Sequence, residues 1–216
     1  MDHAVLQKIT SKMVVKEKSV MVIHRNVVYL LGGIFNKRDR NTCEKYDIAR
    51  NVWEAMSNGI KDRSNHIAVV HNKIIYVAGG VHISSQSDNL EKYYISENKY
   101  VELKVKTPIG VDFGVMISIS PQCIFLLSCK KEGSSAYRIT TDKFAIECVL
   151  ESVGFPEHFV YYPLFYNGQV HVLSGNYYYI RYDSLNNVLD NEQNILEGEL
   201  KGRVVRYKSL FIWGEE

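Results

Sequence analysis

The sequence is poor in proline and cysteine, with four of each among 216 residues, and it has no long apolar run. No stretch approaches the about 18 apolar residues that a membrane-spanning helix needs. The first twelve residues carry neither a long apolar core nor a cleavage signature, so we expect no signal peptide. These absences predict a soluble, cytoplasmic protein with no membrane partner.

The chain also lacks a strong charge of either sign and a close pair of cysteines. A formal net charge of +2 gives no reason to expect a nucleic-acid partner. No Cys-x-x-Cys spacing occurs, which favours reduced thiols over disulfides or a metal site. The four cysteines are Cys43, Cys123, Cys129 and Cys148.

Aromatic and β-branched residues are plentiful, and they recur in register. Fifteen tyrosines and eight phenylalanines favour β structure. The segment Val28–Gly33 (VYLLGG) recurs 47 residues later as Ile75–Gly80 (IYVAGG). The same shift relates two further aromatic positions, Tyr46 to Tyr93 and Trp53 to Tyr100. Landmarks that keep one register over this distance indicate an internal repeat.

Weaker copies of the repeat follow at Ile124–Cys129 and Val170–Gly175, with a partial copy at Leu210–Gly214. Each full copy predicts four short strands, which in the second copy lie at 65–70, 74–78, 90–95 and 100–104. The best helical candidate, residues 191–200, contains Gly198 and is assigned to a loop. A four-stranded sheet cannot bury both faces alone, whereas sheets arrayed around an axis can.

The landmarks of the first copy resemble the kelch repeat. A double glycine closes an apolar strand, a Tyr-Asp pair follows about a dozen residues on, and a tryptophan follows about six residues later. These landmarks are Gly32, Gly33, Tyr46, Asp47 and Trp53. The second copy keeps Gly79 and Gly80 but has Tyr94 and Tyr100 in place of the aspartate and the tryptophan. The resemblance implies an all-β fold, a kelch-type β-propeller.

We expect residues 1–216 to form a single domain with four full four-stranded blades. The predicted repeats cover residues 19–60, 64–106, 110–151 and 159–196. The remaining segments, 203–214 and 1–12, either form a partial fifth blade from the two chain ends or leave a truncated, open ring. In the first case a strand near Val5–Ile9 pairs with the C-terminal strands. In the second, an exposed sheet edge predicts self-association into an oligomer.

The resemblance extends to the kelch-like proteins of poxviruses, and it implies protein recognition. The predicted function is a substrate- or partner-recognition adapter, linked to cullin ubiquitin ligases or to viral modulation of host proteins. The BTB domain that usually precedes such propellers has no counterpart in this sequence. The alternatives are a structural subunit of a larger assembly and, less favoured, a propeller enzyme such as a glycosidase.

The motifs of common enzymes are missing from the sequence. It has no glycine-rich phosphate loop ahead of a helix and no Gly-x-Ser-x-Gly nucleophile elbow. The seven histidines show no metal-ligand spacing, and His24 and His71 stand one repeat apart, as equivalent positions of different blades do. We therefore expect no catalytic activity, no cofactor and no metal.

The loops between the second and third strands and those between blades emerge on one face of a propeller, where a partner would bind. Arginine and lysine there predict an acidic protein segment as the partner, with Phe155 as an apolar anchor. The simpler interpretation is that these charges are solvated loop residues. The candidate partner-binding residues are Lys37, Arg38, Arg40, Lys61, Arg63, His82, Lys130, Lys131, Phe155 and His158.

Overall fold

The computed structural model describes residues 16–39, 41–59, 61–82, 85–107, 113–129, 134–153, 161–174, 178–184, 188–193, 204–207 and 209–212. Within these ranges every regular element is a β-strand. Four antiparallel sheets have four strands each, and three small sheets have two. The predicted all-β class and the four four-stranded blades are confirmed.

The first two blades share one plan. The first contains β1 (Val20–His24), β2 (Val27–Leu31), β3 (Ile34–Phe35), β4 (Arg38–Asp39), β5 (Cys43–Asp47) and β6 (Val52–Ala55). The second contains β7 (Ile67–His71), β8 (Ile74–Ala78), β9 (Val81–His82), β10 (Ser85–Gln86), β11 (Asn89–Tyr94) and β12 (Lys99–Lys106). The sheets run β1-β2-β5-β6 and β7-β8-β11-β12, and the short strands form separate hairpins, β3–β4 and β9–β10.

The third and fourth blades are simple four-stranded meanders. The third consists of β13 (Phe113–Ser120), β14 (Cys123–Cys129), β15 (Ser134–Thr140) and β16 (Ala145–Val153). The fourth consists of β17 (Tyr161–Tyr166), β18 (Gln169–Ser174), β19 (Tyr178–Asp183) and β20 (Val188–Gln193). Because Asn191 pairs with Ile180 of β19, the assignment of 191–200 to a loop is wrong for residues 191–193.

The blades are arranged as in a propeller. The first strand of each sheet contacts the first strand of the next, so that β1, β7, β13 and β17 follow one another around the centre. Among the described strands, β17 and β1 make no comparable contact. The four sheets therefore follow one another, among the described strands, in the order of the chain, from β1 to β17.

Three apolar seams hold neighbouring blades together, as the repeated aromatic positions predict. Tyr29 and Tyr93 meet in the first seam, at 6.3 Å between ring centroids. Phe125 and Tyr182 stack in the third seam at 4.9 Å. Buried aromatic faces supply a large area of apolar contact per residue. Further seam residues are Leu31 and Ile75 in the first, Tyr76, Leu90 and Tyr137 in the second, and Val170 in the third.

The described residues at the chain ends do not test the predicted fifth blade, which stays a prediction. β21 (Val204–Tyr207) and β22 (Ser209–Ile212) form an antiparallel hairpin, but Val5–Ile9 lies outside the described residues. On β1, Met21 and Ile23 are 58% and 60% exposed, although their counterparts one repeat later lie in the first seam. No helix in the described part of the chain is long and apolar enough to cross a membrane.

Candidate interaction face

Hairpins β3–β4 and β9–β10 emerge from the same end of the first two blades. Each follows the strand that ends in two glycines. The segment that enters each blade bridges to its hairpin in the same way, through Glu17 and Ile34 in the first blade and through Ser64 and Val81 in the second. Since these bridges are related by the 47-residue repeat, the hairpins share one face. We call this end of the blades the hairpin face.

The second glycine of each pair permits a close backbone approach on this face. Gly33 and Gly80 have φ angles of +101° and +93°, a region that L side chains rarely adopt. A Cβ atom at Gly80 would stand 2.7 Å from the carbonyl oxygen of Ser64. A Cβ atom at Gly33 would stand 2.8 Å from that of Glu17. The double glycine thus allows the entering segment to pass directly over the strand end.

The tip of the first hairpin is exposed. Asn36 and Lys37 both have positive φ angles, 51° and 61°, as a tight two-residue turn requires. Lys37 is exposed, as predicted, and Phe35 beside it is 37% exposed. Sequence reasoning missed Phe35, although its position just after the double glycine places it beyond the end of the second strand of the four-stranded sheet, in the loop to the third. Arg38 contributes backbone to β4.

The inter-blade loop is tied to both hairpins. The Asp62 carboxylate accepts a hydrogen bond from the backbone N–H of Asn41, which follows β4, at 2.9 Å. The carbonyl oxygen of Asp62 lies 2.7 Å from Nδ1 of His82 in β9. Lys61 is 42% exposed and stands 3.7 Å from Glu102. These bonds fix the position of two candidate residues, Lys61 and His82, on the hairpin face.

Arg63 does not belong to the exposed face, and the expectation that it does is corrected. Its side chain is only 4% exposed and forms a buried ion pair with Glu91. Nη1 of Arg63 also donates to the carbonyl oxygen of Gly79 at 3.1 Å. Burial lowers the pKa of Arg63 to about 10, so the guanidinium stays charged at neutral pH. Its role is structural, because a buried charge must be paired.

The other predicted binding residues lie outside the part of the chain that the structure describes. These are Arg40, Lys130, Lys131, Phe155 and His158. The side chain of Arg38 is also outside it. The described candidates that the structure brings together are Lys37, Lys61 and His82, with Phe35 added.

A small pocket opens beside these residues, between the first and second blades. It is open to solvent and has room inside for about one water molecule. Its half-exposed lining comes from Asn41, Gly59 and Lys61, and its buried lining includes His66 and Cys43. Cys43 is a free thiol, and its Sγ accepts a hydrogen bond from Tyr100 Oη at 3.1 Å. In the described residues, no cluster of three or more His, Cys, Asp or Glu side chains could hold a metal ion.

Comparisons with known proteins agree with this architecture. The kelch motif family matches residues 19–59, which span the first blade. The solved structure of YjhT superposes with a TM-score of 0.67, over 85% of this chain and 67% of that chain. The two sequences are 12% identical, so this likeness shows the fold alone. No curated protein matches the sequence. The first blade therefore carries a kelch motif, and the four described four-stranded sheets have the arrangement of a β-propeller.

Proposed function

We propose that this propeller binds another protein on its hairpin face and acts as a recognition adapter. The observation that carries the proposal is the pair of hairpins, β3–β4 and β9–β10, which the bonds of Asp62 join through the inter-blade loop. Loops held by a rigid scaffold are the usual recognition surfaces of proteins. A surface fixed in this way loses little conformational entropy when a partner binds.

The chemistry of the face favours an extended acidic segment with an apolar side chain. Lys37 and Lys61 supply exposed positive charge, and Phe35, two residues before Lys37, supplies an exposed aromatic ring. Aromatic side chains in an interface often contribute most of the binding free energy, whereas charges at the rim mainly set the association rate. We therefore propose that Phe35 contributes most of the binding free energy and that the two lysines select acidic partners.

The recognition step is proposed to deliver the partner to a larger cytoplasmic assembly. The kelch motif of the first blade supports this role. The link to cullin ubiquitin ligases rests on the resemblance of the sequence to kelch-like proteins. The proposal that the partner is a host protein rests on the sequence's resemblance to poxvirus kelch-like proteins alone. Affinity purification from the native host with mass spectrometry identifies the partner and the assembly together.

A matched pair of lysines tests where the partner binds. Lys37 and Lys73 both follow an asparagine in a two-residue turn, with φ angles of 61° and 63°, and both are exposed. The turn with Lys73 joins the first two strands of the second blade, at the end opposite the hairpin face. We expect Lys37→Glu to weaken capture of the partner and Lys73→Glu to leave it unchanged. Equal effects of the two variants count against the hairpin face.

A structural role in an assembly is the second candidate. The exposed side chains of Met21 and Ile23, on a first strand that should be central, support it. Exposed apolar groups of this size commonly mark association surfaces. Size-exclusion chromatography separates the two functions. A monomer supports the adapter. An obligate oligomer supports the structural subunit if the substitutions Met21→Ser and Ile23→Ser convert it to a monomer.

A further inference from the structure

Asp62 lies in the inter-blade loop and is bonded to both hairpins of the hairpin face. Its carboxylate accepts a hydrogen bond from the backbone N–H of Asn41, which follows β4, at 2.9 Å. Its own carbonyl oxygen lies 2.7 Å from Nδ1 of His82 in β9, and because a carbonyl only accepts, the imidazole is the donor. One residue therefore sets the spacing of hairpins β3–β4 and β9–β10.

The link to the first hairpin has a second bond. The carbonyl oxygen of Asn41 accepts a hydrogen bond from the N–H of Gly59 at 2.7 Å. Both backbone polar groups of Asn41 are thus bonded to the inter-blade loop, one to Gly59 and one to Asp62. The end of the first hairpin is therefore fastened to the loop as well as to its own blade.

The path of the loop does not depend on the side chain of Asp62. The carbonyl oxygen of the next residue, Arg63, accepts a hydrogen bond from the N–H of Gly33 at 2.9 Å. Ser64 exchanges two backbone hydrogen bonds with Val81, at 2.8 Å and 3.1 Å. Loss of the carboxylate should therefore release the first hairpin from the loop and leave the stacking of the blades intact.

The two hairpins differ in charge. The first carries Lys37 at its exposed tip, and the inter-blade loop adds Lys61, which is 42% exposed. The second hairpin lies within residues 81–86, which contain no lysine, arginine, aspartate or glutamate, and the amide side chain of Gln86 is exposed there. A segment that contacts both hairpins meets positive charge at one end and uncharged hydrogen-bonding groups at the other.

The packing of the blades sets the length of such a segment. Sheets that pack face to face lie about 10 Å apart, and an extended chain advances about 3.3 Å per residue. The two hairpins extend from neighbouring packed sheets, so about three to five residues of an extended segment bridge them.

We propose that Asp62 is the positioning residue of the hairpin face and that the partner is one extended segment lying across both hairpins. Its acidic residues face Lys37, and an uncharged polar residue about three to five positions away bonds to Gln86. The inference rests on the proposed function and adds the direction and the spacing of the recognised segment. Both contacts form together only while the hairpins keep the spacing that Asp62 fixes, so the second contact then adds to the affinity of the first.

Two substitutions of Asp62 separate its position from its charge. In Asp62→Asn the side-chain oxygen still accepts the N–H of Asn41, whereas Asp62→Ala removes the acceptor. His82→Phe cuts the link to the second hairpin. Asp47→Ala is the matched control, because the Asp47 carboxylate also accepts a backbone N–H at 2.9 Å, from Arg50. That turn follows the end of β5, whereas hairpin β3–β4 precedes its start, so the control lies away from the hairpin face.

The experiment selects binders from a displayed library of random twelve-residue peptides, using the whole chain. The affinity of the best peptide, and of its acidic half alone, is then measured for each variant. We expect Asp62→Ala and His82→Phe to weaken binding of the whole peptide about tenfold and to leave the acidic half unchanged. Asp62→Asn and Asp47→Ala should bind the whole peptide as the wild type does. Circular dichroism and the melting temperature check that each variant folds.

The acidic half distinguishes positioning from a local structural role. Equal binding of the whole peptide to wild type and Asp62→Ala overturns the proposal, as does an equal loss in Asp62→Asn. A loss for the acidic half as large as that for the whole peptide also overturns it, because one hairpin alone is then damaged. If Asp62→Ala does not fold, the result for His82→Phe decides.

The same peptides separate this proposal from the proposed function. Peptides weakened by Lys37→Glu and not by Gln86→Ala overturn the segment across two hairpins and support the hairpin face. Peptides weakened by both substitutions support both proposals. Peptides weakened by Gln86→Ala alone contradict the role of Lys37 in each. Recovery of no peptide, or of peptides that neither substitution weakens, contradicts both.

Discussion

Arg63 and Glu91 form a buried ion pair at the start of the second blade, with side chains only 4% and 2% exposed. The pair joins the loop that enters the blade to its third strand, β11. The carbonyl oxygen of Arg63 also accepts a hydrogen bond from the N–H of Gly33 in the first blade, at 2.9 Å. One residue therefore connects two blades beneath the proposed binding face.

Removal of one member of this pair should be strongly destabilising. Arg63→Met removes the guanidinium that pairs with the buried Glu91 carboxylate, and the loss of one partner of a buried ion pair costs about 3–5 kcal/mol. The double variant Arg63→Met, Glu91→Gln should recover much of that loss, because no net charge remains buried. Urea denaturation gives the free energies of unfolding. Arg50→Met serves as the control, since Arg50 is 59% exposed and should contribute little. If Arg63→Met is no less stable than Arg50→Met, the pair has no structural role.

His66 should make the protein acid-sensitive. Its pKa is about 3 in the fold and near 6.5 in the unfolded chain, so below pH 6.5 the unfolded state binds the additional proton. Stability should therefore fall as the pH drops from 6.5 towards 3, by up to about 1.4 kcal/mol per pH unit from this residue. Unfolding of wild type and His66→Gln between pH 4 and pH 8 isolates the effect, because other groups titrate equally in both. Parallel pH profiles would refute the assignment.

The double glycine should tolerate no side chain at its second position. Gly80→Ala places a Cβ atom 2.7 Å from the Ser64 carbonyl oxygen in a backbone with φ of +93°. We expect a loss of about 1–3 kcal/mol or more in the free energy of unfolding. Gly59→Ala, whose Cβ has ordinary contacts, is the matched control and should be neutral. A neutral Gly80→Ala would show that the close approach does not exist.

A cation–π contact should stabilise the second seam. Nζ of Lys92 lies 3.7 Å from the ring centroid of Phe144, and Lys92 is only 6% exposed. A double-mutant cycle with Lys92→Met and Phe144→Leu should give a coupling free energy of about 1–2 kcal/mol. Lys45 occupies the same position of the first blade, where it is 39% exposed and pairs with Glu54. The cycle of Lys45→Met with Phe144→Leu should show no coupling.

The four blades were predictable because neighbouring blades pack in the same way and therefore need similar residues at equivalent positions. The first two blades both end their second strand in a glycine pair, and aromatic side chains fill all three seams between blades. These landmarks therefore recur along the chain and mark the blades. The end of β20 was not predicted, because the sequence Asp190-Asn191-Glu192 shows no alternation of apolar and polar residues. The strand is evident only from its pairing with β19.

The candidate site was less predictable, because burial depends on partners that are distant in sequence. Arg63 follows a lysine and an aspartate in a polar loop, which indicates exposure. Its partner Glu91 lies 28 residues away, between Leu90 and Lys92. His66 belongs to no sequence motif. The burial of its Nδ1 without a hydrogen-bond partner follows only from the packing of the first two blades. Lys37 was predictable because a turn tip is exposed in almost any fold.

Site-specific photocrosslinking tests the central claim, that the hairpin face contacts the partner, most directly. A photoreactive lysine analogue replaces Lys37 in one sample and Lys73 in the other, and both samples are irradiated with lysate of the native host. The account predicts a specific crosslinked product from position 37 and none of that mass from position 73. The same product from position 73 alone, or equally from both positions, would contradict it.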